Sequence, residues 1–397
     1  MPFWRKSKKY KLSQNPKQGD LDEPNVKLTK YTSLEAGPSP VHKTKPLPSM
    51  STDNIRNWSS DSHLIGDEEL SQHFPDKQIK LYIATWNMGG QDFPENLQDL
   101  LLPPDDTAKD VYVIGIQEGC PNRREWEIKL QETLGPHFVL YKACGHGVMY
   151  LTIFIRRELI WFCSEVEEAK ITTRLFHQFK TKGALGVSFT IFGTSFLFIA
   201  SHLRYGSINK RIEDYRSIIQ GLHLPRTKGR NDSAGDVTNQ FHHVFWFGDL
   251  NFQLQEERNI VESLLKNNKG RDVSNLLVYD SLNEVKSKGT IFDGFKEHTI
   301  EFRPTYKFDL GTEIYDTSAK QRIPSYTDRV LYKTKYEDNI KVIKYDSCPL
   351  VRSSDHRPVF ATFQVKLEPG HNNIPLSGGQ FDREAYTIAI RRKILPI

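Results

Sequence analysis

The sequence predicts an α/β fold in which helices cover buried sheets, and three observations lead there. Short runs rich in apolar, β-branched and aromatic residues recur from Ile79 to Val365, stretches with helical spacing lie between them, and rare polar residues fall at the ends of the runs.

In chain order the runs are Leu81–Trp86, Val111–Ile116, Met149–Ile155, Gly186–Phe192, Ser195–Ala200, Val244–Phe247, Val330–Tyr332 and Val359–Val365. They read as strands of a buried sheet system. Glu125–Leu134 and Asn259–Leu265 read as short helices between them. The clearest helical signal is Ile208, Ile212, Tyr215, Ile219 and Leu222, which share one helical face behind a candidate cap at Ser207. No internal repeat at a solenoid period is present.

Residues 75–366 are therefore expected to form one α/β domain. Residues 1–74 are rich in Lys, Ser, Pro and Asp and poor in apolar residues, too little burial to offset the entropy of ordering them, so a disordered tail is expected. Its start carries Arg5, Lys6, Lys8, Lys9, Lys11 and Lys17 without an acid, suited to weak attachment at an anionic leaflet, although a solvated tail is the simpler reading. Residues 367–397 begin with a turn-rich connector and continue into a possible helix, Phe381–Lys393, ending in three basic residues. Packing on the domain and lying at a membrane are both open to it.

Composition narrows the class. With 38% hydrophobic and 26% charged residues the chain reads as an ordinary globular protein, without the roughly 20 apolar residues of a spanning helix or the apolar core of a signal peptide. A cytosolic protein is expected. The four cysteines, Cys120, Cys144, Cys163 and Cys348, lie far apart with no zinc-ligand spacing, which points to reduced thiols. A net charge of +5 is compatible with nucleic acid, an anionic membrane or an anionic small substrate, and chooses none of them.

The chemistry lies where the runs stop. Asn87 and Glu118 follow the first two, His202 follows the fifth, Asp249 and Asn251 follow the sixth, and Asp355 and His356 precede the last. One sheet edge would carry them all. Such a set of oxygen ligands and imidazoles suits a hard ion such as Mg²⁺ and phosphate chemistry. Singly, each has a plainer reading: Asn87 as a turn cap, Glu118 as a partner of Arg123 or Arg124, His202 as a core histidine, and Gly248-Asp249-Leu250-Asn251 as a turn.

Together, Trp86-Asn87, Gln117-Glu118, Ser201-His202, Gly248-Asp249-Leu250-Asn251 and Ser354-Asp355-His356 resemble, in order, the signature of the exonuclease, endonuclease and phosphatase superfamily. The resemblance implies a four-layer α/β/β/α sandwich. Because that superfamily also holds nucleases and sphingomyelinases, the substrate must come from other residues. Pro304-Thr305-Tyr306-Lys307-Phe308 and Lys320-Gln321-Arg322-Ile323-Pro324-Ser325-Tyr326-Thr327-Asp328-Arg329 resemble the substrate motifs of the inositol polyphosphate 5-phosphatases. Tyr326-Thr327 stands where that family usually has Trp-Cys, a departure found in its type IV branch, which this chain also resembles at Arg123-Arg124-Glu125-Trp126-Glu127 and Lys182-Gly183-Ala184-Leu185-Gly186.

The resemblance implies that Glu118, helped by Asn87, holds Mg²⁺, and that Asp249 orients or deprotonates the attacking water. Asn251 would position that water or a phosphate oxygen. His356, fixed by Asp328, would stabilise the scissile phosphate with His202, and Asp355 would assist leaving-group or metal chemistry. Tyr306, Lys307, Lys320 and Arg322 would read a neighbouring phosphate, with Lys182 and Arg329 as weaker candidates for phosphate contact or for structure near the site. It further implies a membrane phosphoinositide substrate, a monomer that does not act on nucleic acid, and a peripheral membrane address at the primary cilium and Golgi. With no cysteine after Cys348, the CaaX prenylation of that branch is not expected of this form. A nuclease of the same fold and an inactive phosphoinositide-binding scaffold are the rival readings.

Overall fold

The computed structural model describes residues 64–102, 109–173, 181–224, 236–267, 272–371 and 373–394. Of the tail expected over residues 1–74, residues 1–63 lie outside them. Among the described residues, no helix is long and apolar enough to cross a membrane.

Two sheets carry the fold. The strands are β1 (Gln78–Asn87), β2 (Val111–Gln117), β3 (Phe138–His146), β4 (Met149–Arg156), β5 (Glu167–Thr172), β6 (Gly183–Ile191), β7 (Thr194–His202), β8 (His243–Asp249), β9 (Asp328–Thr334), β10 (Ile340–Ser347) and β11 (Val359–Lys366). One sheet has the order β10-β11-β1-β2-β4-β3 and the other β5-β6-β7-β8-β9.

Period-two side-chain alternation explains why the central strands read as unbroken apolar runs. On β1, Leu81 and Ile83 enter the core between the sheets, while Tyr82, Ala84 and Trp86 enter a second core under the outer helices. On β8, Phe245 and Phe247 point inward, and Val244 and Trp246 point to a third core on the far side. Each Leu, Ile, Val or Phe among these buried side chains contributes about 1.5–3 kcal/mol. Gly115 on β2 lets the sheets approach, since an added Cβ would lie 2.6 Å from the Phe247 ring.

Helices cover both outer faces, which completes the expected α/β/β/α order. Over the first sheet lie α2 (Gln98–Leu101), α3 (Arg123–Leu134) and α8 (Arg383–Ile394), with Trp126, Ala385 and Ala389 buried there. The other face is covered by α4 (Ile208–Gly221) and α7 (Ser281–Ser287), through Tyr215, Ile218 and Leu282. α5 (Arg258–Asn267) and α6 (Ser274–Leu277) add Val261, Leu265 and Leu276 to the inter-sheet core. Asn122 caps α3 by accepting from Glu125 N at 3.3 Å. Ser207 takes the cap position of α4 as expected, but its side chain makes no capping hydrogen bond.

The amino-terminal edge differs from expectation, and the carboxyl-terminal edge takes one of the two courses open to it. α1 (Asp67–His73) falls within the stretch expected as tail, and Ile65, Leu70 and Phe74 reach the inter-sheet core from it; a helix this short leaves no periodic signal. The terminal segment packs on the domain, with Arg124 bonded to both Asp382 oxygens at 2.6 and 3.0 Å and Arg392 paired with Glu125.

Candidate active site

The strand register gathers the polar residues. β1 and β2 run parallel with Asn87 opposite Gln117, and β7 and β8 run parallel with His202 opposite Asp249. Antiparallel β9 then places Asp328 opposite Asp249. Carboxyl ends of four strands and the amino end of β9 thus share one edge. Gly248 has φ 143°, and an added Cβ would lie 1.9 Å from Ser201 O, so only glycine permits this approach beside Asp249. Glu118 itself sits at φ 45°, in the left-handed region, where the chain turns out of β2.

A cavity of about 1200 Å³ opens at this edge. Asn87, Glu118, Lys182, His202, Asp249, Asn251, Asp355 and His356 line it together with Tyr306, Lys307, Lys320 and Arg322. Asp328 lies just behind the wall, its Oδ2 2.9 Å from His356 Nδ1.

Asp249 is the hub. Its Oδ2 accepts from Asn87 Nδ2 at 2.9 Å and lies 3.1 Å from His202 Nε2, and its Oδ1 accepts from Asn251 N at 3.0 Å. Asn251 is fixed at its other end by donating to Leu203 O at 2.9 Å. Burial opposes ionisation of Asp249, but His202, His356 and Lys182 more than offset it and hold the carboxyl well below the usual range. Burial and then Lys182, which contacts Nε2, lower the basicity of His202.

His356 has the opposite electrostatics. Burial lowers its pKa, yet Asp328 and, beyond it, Asp249 and Asp355 raise it to about 9, so the imidazolium persists at neutral pH. Asp328 Oδ2 also accepts from Thr305 and Thr327 hydroxyls at 2.9 and 3.0 Å. Thr327, at the position where the family motif usually has Cys, thereby supplies a stronger donor than a thiol would. The Tyr306 ring lies 4.5 Å from that of His356, centroid to centroid, held by backbone hydrogen bonds to Ser325. Lys307 pairs with Asp355 at 2.9 Å.

Asp249, Asp328 and His356 place ligand atoms within 4.8 Å of one another. An imidazolium bonded to a carboxylate that already accepts two hydroxyls forms a proton-holding cluster rather than a cation cage. Glu118 and Asn87 offer oxygen donors on the cavity wall, and no cysteine lines it, which fits a hard oxygen-seeking cation.

Arg329 is the correction to the expected site. Its side chain is fully enclosed, 2.9 Å from Asp280 and 2.6 Å from Glu297, and does not line the cavity. Arg123 and Arg124, the partners that the plainer reading offered Glu118, pair with Glu127 and, for Arg124, Asp382. Tyr205 and Lys210, at the entry to α4, also line the cavity. Nothing in the sequence marked them, because charged and aromatic residues at a helix start are commonplace.

The family model for endonuclease/exonuclease/phosphatase family 2 matches residues 84–362. A phosphatidylinositol polyphosphate 5-phosphatase type IV of Mus musculus is 56% identical over 339 residues, 83% of this chain and 52% of that protein. The chain thus spans about half the length of the curated relatives it matches. Among solved structures, the inositol polyphosphate 5-phosphatase domain of SPsynaptojanin, in complex with inositol (1,4)-bisphosphate and calcium, superposes with a TM-score of 0.66. It is 32% identical, over 82% of this chain and 93% of that one. The Cimex nitrophorin ferrous NO complex reaches a TM-score of 0.61 at 26% identity, covering 74% of this chain and all of the other, so the same fold serves other chemistry. With the family model spanning most of the chain and the SPsynaptojanin domain matched over nearly its whole length, this chain belongs to the endonuclease/exonuclease/phosphatase family, in its inositol polyphosphate 5-phosphatase branch.

Proposed function

We propose that the chain catalyses Mg²⁺-dependent hydrolysis of the 5-phosphate of phosphoinositides, such as the 4,5-bisphosphate and 3,4,5-trisphosphate lipids, by direct attack of water. One observation carries the reading: a single cavity joins the Asp249, His202 and His356 cluster to the cationic and aromatic residues Tyr306, Lys307, Lys320 and Arg322. The names of the mouse relative and the SPsynaptojanin domain support the same substrate class.

Glu118 and Asn87 would hold Mg²⁺, which when bound neutralises charge on the phosphoryl group and leaving oxygen. Asp249, kept anionic by its neighbours, orients the attacking water and takes its proton, while Asn251, pinned at both ends, fixes the direction of attack. His356 presents an imidazolium to the charge developing on the phosphoryl oxygens, and Asp328 fixes its ring. His202, at the end of β7, and Lys182, just before β6, face the same phosphate. Asp355 holds Lys307 beside the leaving side of the ring. The working surface would be the cytoplasmic face of a membrane, with the cilium and Golgi as the addresses implied by resemblance.

The test is phosphate release from short-chain inositol lipids with and without the 5-phosphate, in Mg²⁺ and in EDTA, for the wild type and Asp249→Ala. Release confined to 5-phosphorylated lipids, lost in EDTA and in the variant, supports the reading. Release indifferent to the 5-position, or cleavage of DNA or RNA instead, overturns it.

A further inference from the structure

The proposed reaction assigns no part to the two residues at which this chain departs from the usual family motif, Tyr326 and Thr327. Both are fully buried. Tyr326 packs its ring edge-on against Phe302 at 6.1 Å, and its hydroxyl finds no hydrogen-bond partner among the described residues, so its part is packing. Thr327 differs. Its hydroxyl donates to Asp328 Oδ2 at 3.0 Å and stands 3.5 Å from His356 Nδ1.

The contacts of Asp328 are lopsided. Three donors meet at Oδ2, the His356 ring at 2.9 Å, the Thr305 hydroxyl at 2.9 Å and the Thr327 hydroxyl at 3.0 Å, while Oδ1 is buried without a partner among the described residues. A carboxylate crowded at one oxygen and bare at the other owes its orientation to those few donors. Burial and Asp249 disfavour the Asp328 anion, whereas His356 and the Thr305 hydroxyl favour it. Backbone bonds set the two hydroxyls in place. Thr327 O accepts from Leu250 N at 2.8 Å, between Asp249 and Asn251, and Thr305 O accepts from Arg357 N at 2.9 Å, next to His356. Because the imidazolium already carries a proton on Nδ1, the Thr327 hydroxyl proton has only the carboxylate to go to.

Resting on the reading of the cavity as a hydrolytic site, we propose that Thr327 is a positioning residue: its hydroxyl fixes the Asp328 carboxylate in the orientation that aims the His356 ring at the scissile phosphate. It therefore contributes to kcat and not to substrate affinity. A thiol at this position, as the family motif usually has, is a weaker donor and holds the carboxylate less firmly.

The test reads turnover and the shared proton separately. Phosphate release from a short-chain 5-phosphorylated lipid is measured for the wild type, Thr327→Val, Thr327→Ser and Thr327→Cys, and for Thr327→Val combined with Asp328→Asn. Thr327→Val is expected to lower kcat about tenfold, the lower end of what a hydrogen bond to a charged group contributes, with KM within about twofold. Thr327→Ser should stay within about twofold of the wild type, and Thr327→Cys should fall between the two. In the Asp328→Asn chain, adding Thr327→Val should change kcat by less than about twofold, because its effect runs through the carboxylate. Solvent exchange of the His356 Nδ1 proton is followed by NMR on protein with isotope-labelled histidines, the signal being assigned by its absence from His356→Asn. It should quicken about tenfold in Thr327→Val and not in Thr327→Ser. Thermal melting of each variant separates loss of the hydroxyl from loss of fold. An unchanged kcat and exchange rate in Thr327→Val, an equal loss in Thr327→Ser, or a full further loss on top of Asp328→Asn overturns the role. If no chain releases phosphate, the hydrolase reading fails and the exchange rates alone decide for or against Thr327.

Discussion

Replacing Arg329 by methionine separates a residue that builds the site from one that touches substrate. The guanidinium donates to Asp280 at 2.9 Å and, through two nitrogens, to Glu297 at 2.7 and 2.6 Å, and its side chain has no solvent exposure. Methionine retains much of the stem's volume but leaves two enclosed carboxylates without their cation. Burial already raises the Asp280 carboxyl even with Arg329 present, so that group would take up a proton when the cation goes. Breaking a buried pair from one side costs about 3–5 kcal/mol. At a slope of about 1–3 kcal/mol per molar in urea, the unfolding midpoint should fall by roughly 1–5 M. Equilibrium unfolding followed by tryptophan fluorescence reads this directly, and Arg329→Met combined with Asp280→Asn and Glu297→Gln should recover part of the loss. A midpoint within about 0.3 M of wild type, accompanied by lost turnover, would refute the reasoning and return Arg329 to the substrate.

Three further outcomes are expected. His243, at 1% exposure, is held by burial at about 4 against an ordinary 6.5. The unfolded chain therefore binds more protons between those values, and stability should fall as pH drops from 6.5 toward 4, by up to about 3 kcal/mol, a slope that His243→Gln should flatten in urea titrations. Gly115→Ala should destabilise by about 1–3 kcal/mol by pressing a methyl on the Phe247 ring, visible as a lowered melting temperature; an unchanged melt would mean the sheets can part without cost. Asp328→Asn should lower kcat on a 5-phosphorylated lipid by about 10²–10⁴ with little change in KM, because it unfixes His356 rather than substrate; a KM effect alone would contradict that role.

The central strands were legible because both of their faces are buried, which leaves unbroken apolar runs on β1, β2, β7, β8 and β11. β5 and β10 went unread because, half exposed at sheet edges, they carry lysines and acids among their apolar residues. β3, at the other edge, is partly exposed too. Asn87, Glu118, His202, Asp249, Asn251, Asp355 and His356 were findable since each follows or precedes a run, the remaining candidates came from the resemblance, and the structure brings all of them but Arg329 to the cavity or, for Asp328, directly behind it. Arg329 misled because it shares a motif with Asp328 yet points, by strand alternation, to the opposite face. Tyr205 escaped because its place in the cavity wall shows only through its contact with Arg322, 117 residues away in the chain.

The place of β1 between β2 and β11 bears on the order in which this molecule is made. Leu81 pairs with Val111 on one side and with Phe363 on the other, so β1 waits for a strand synthesised long after it. Until β11 emerges from the ribosome, β1 presents an open hydrogen-bonding edge, and Phe245 lacks the Phe363 ring that packs against it at 4.9 Å. Such long-range closure is slow and exposes aggregation-prone surface, which makes a nascent chain halted before Val359 a natural client for chaperones.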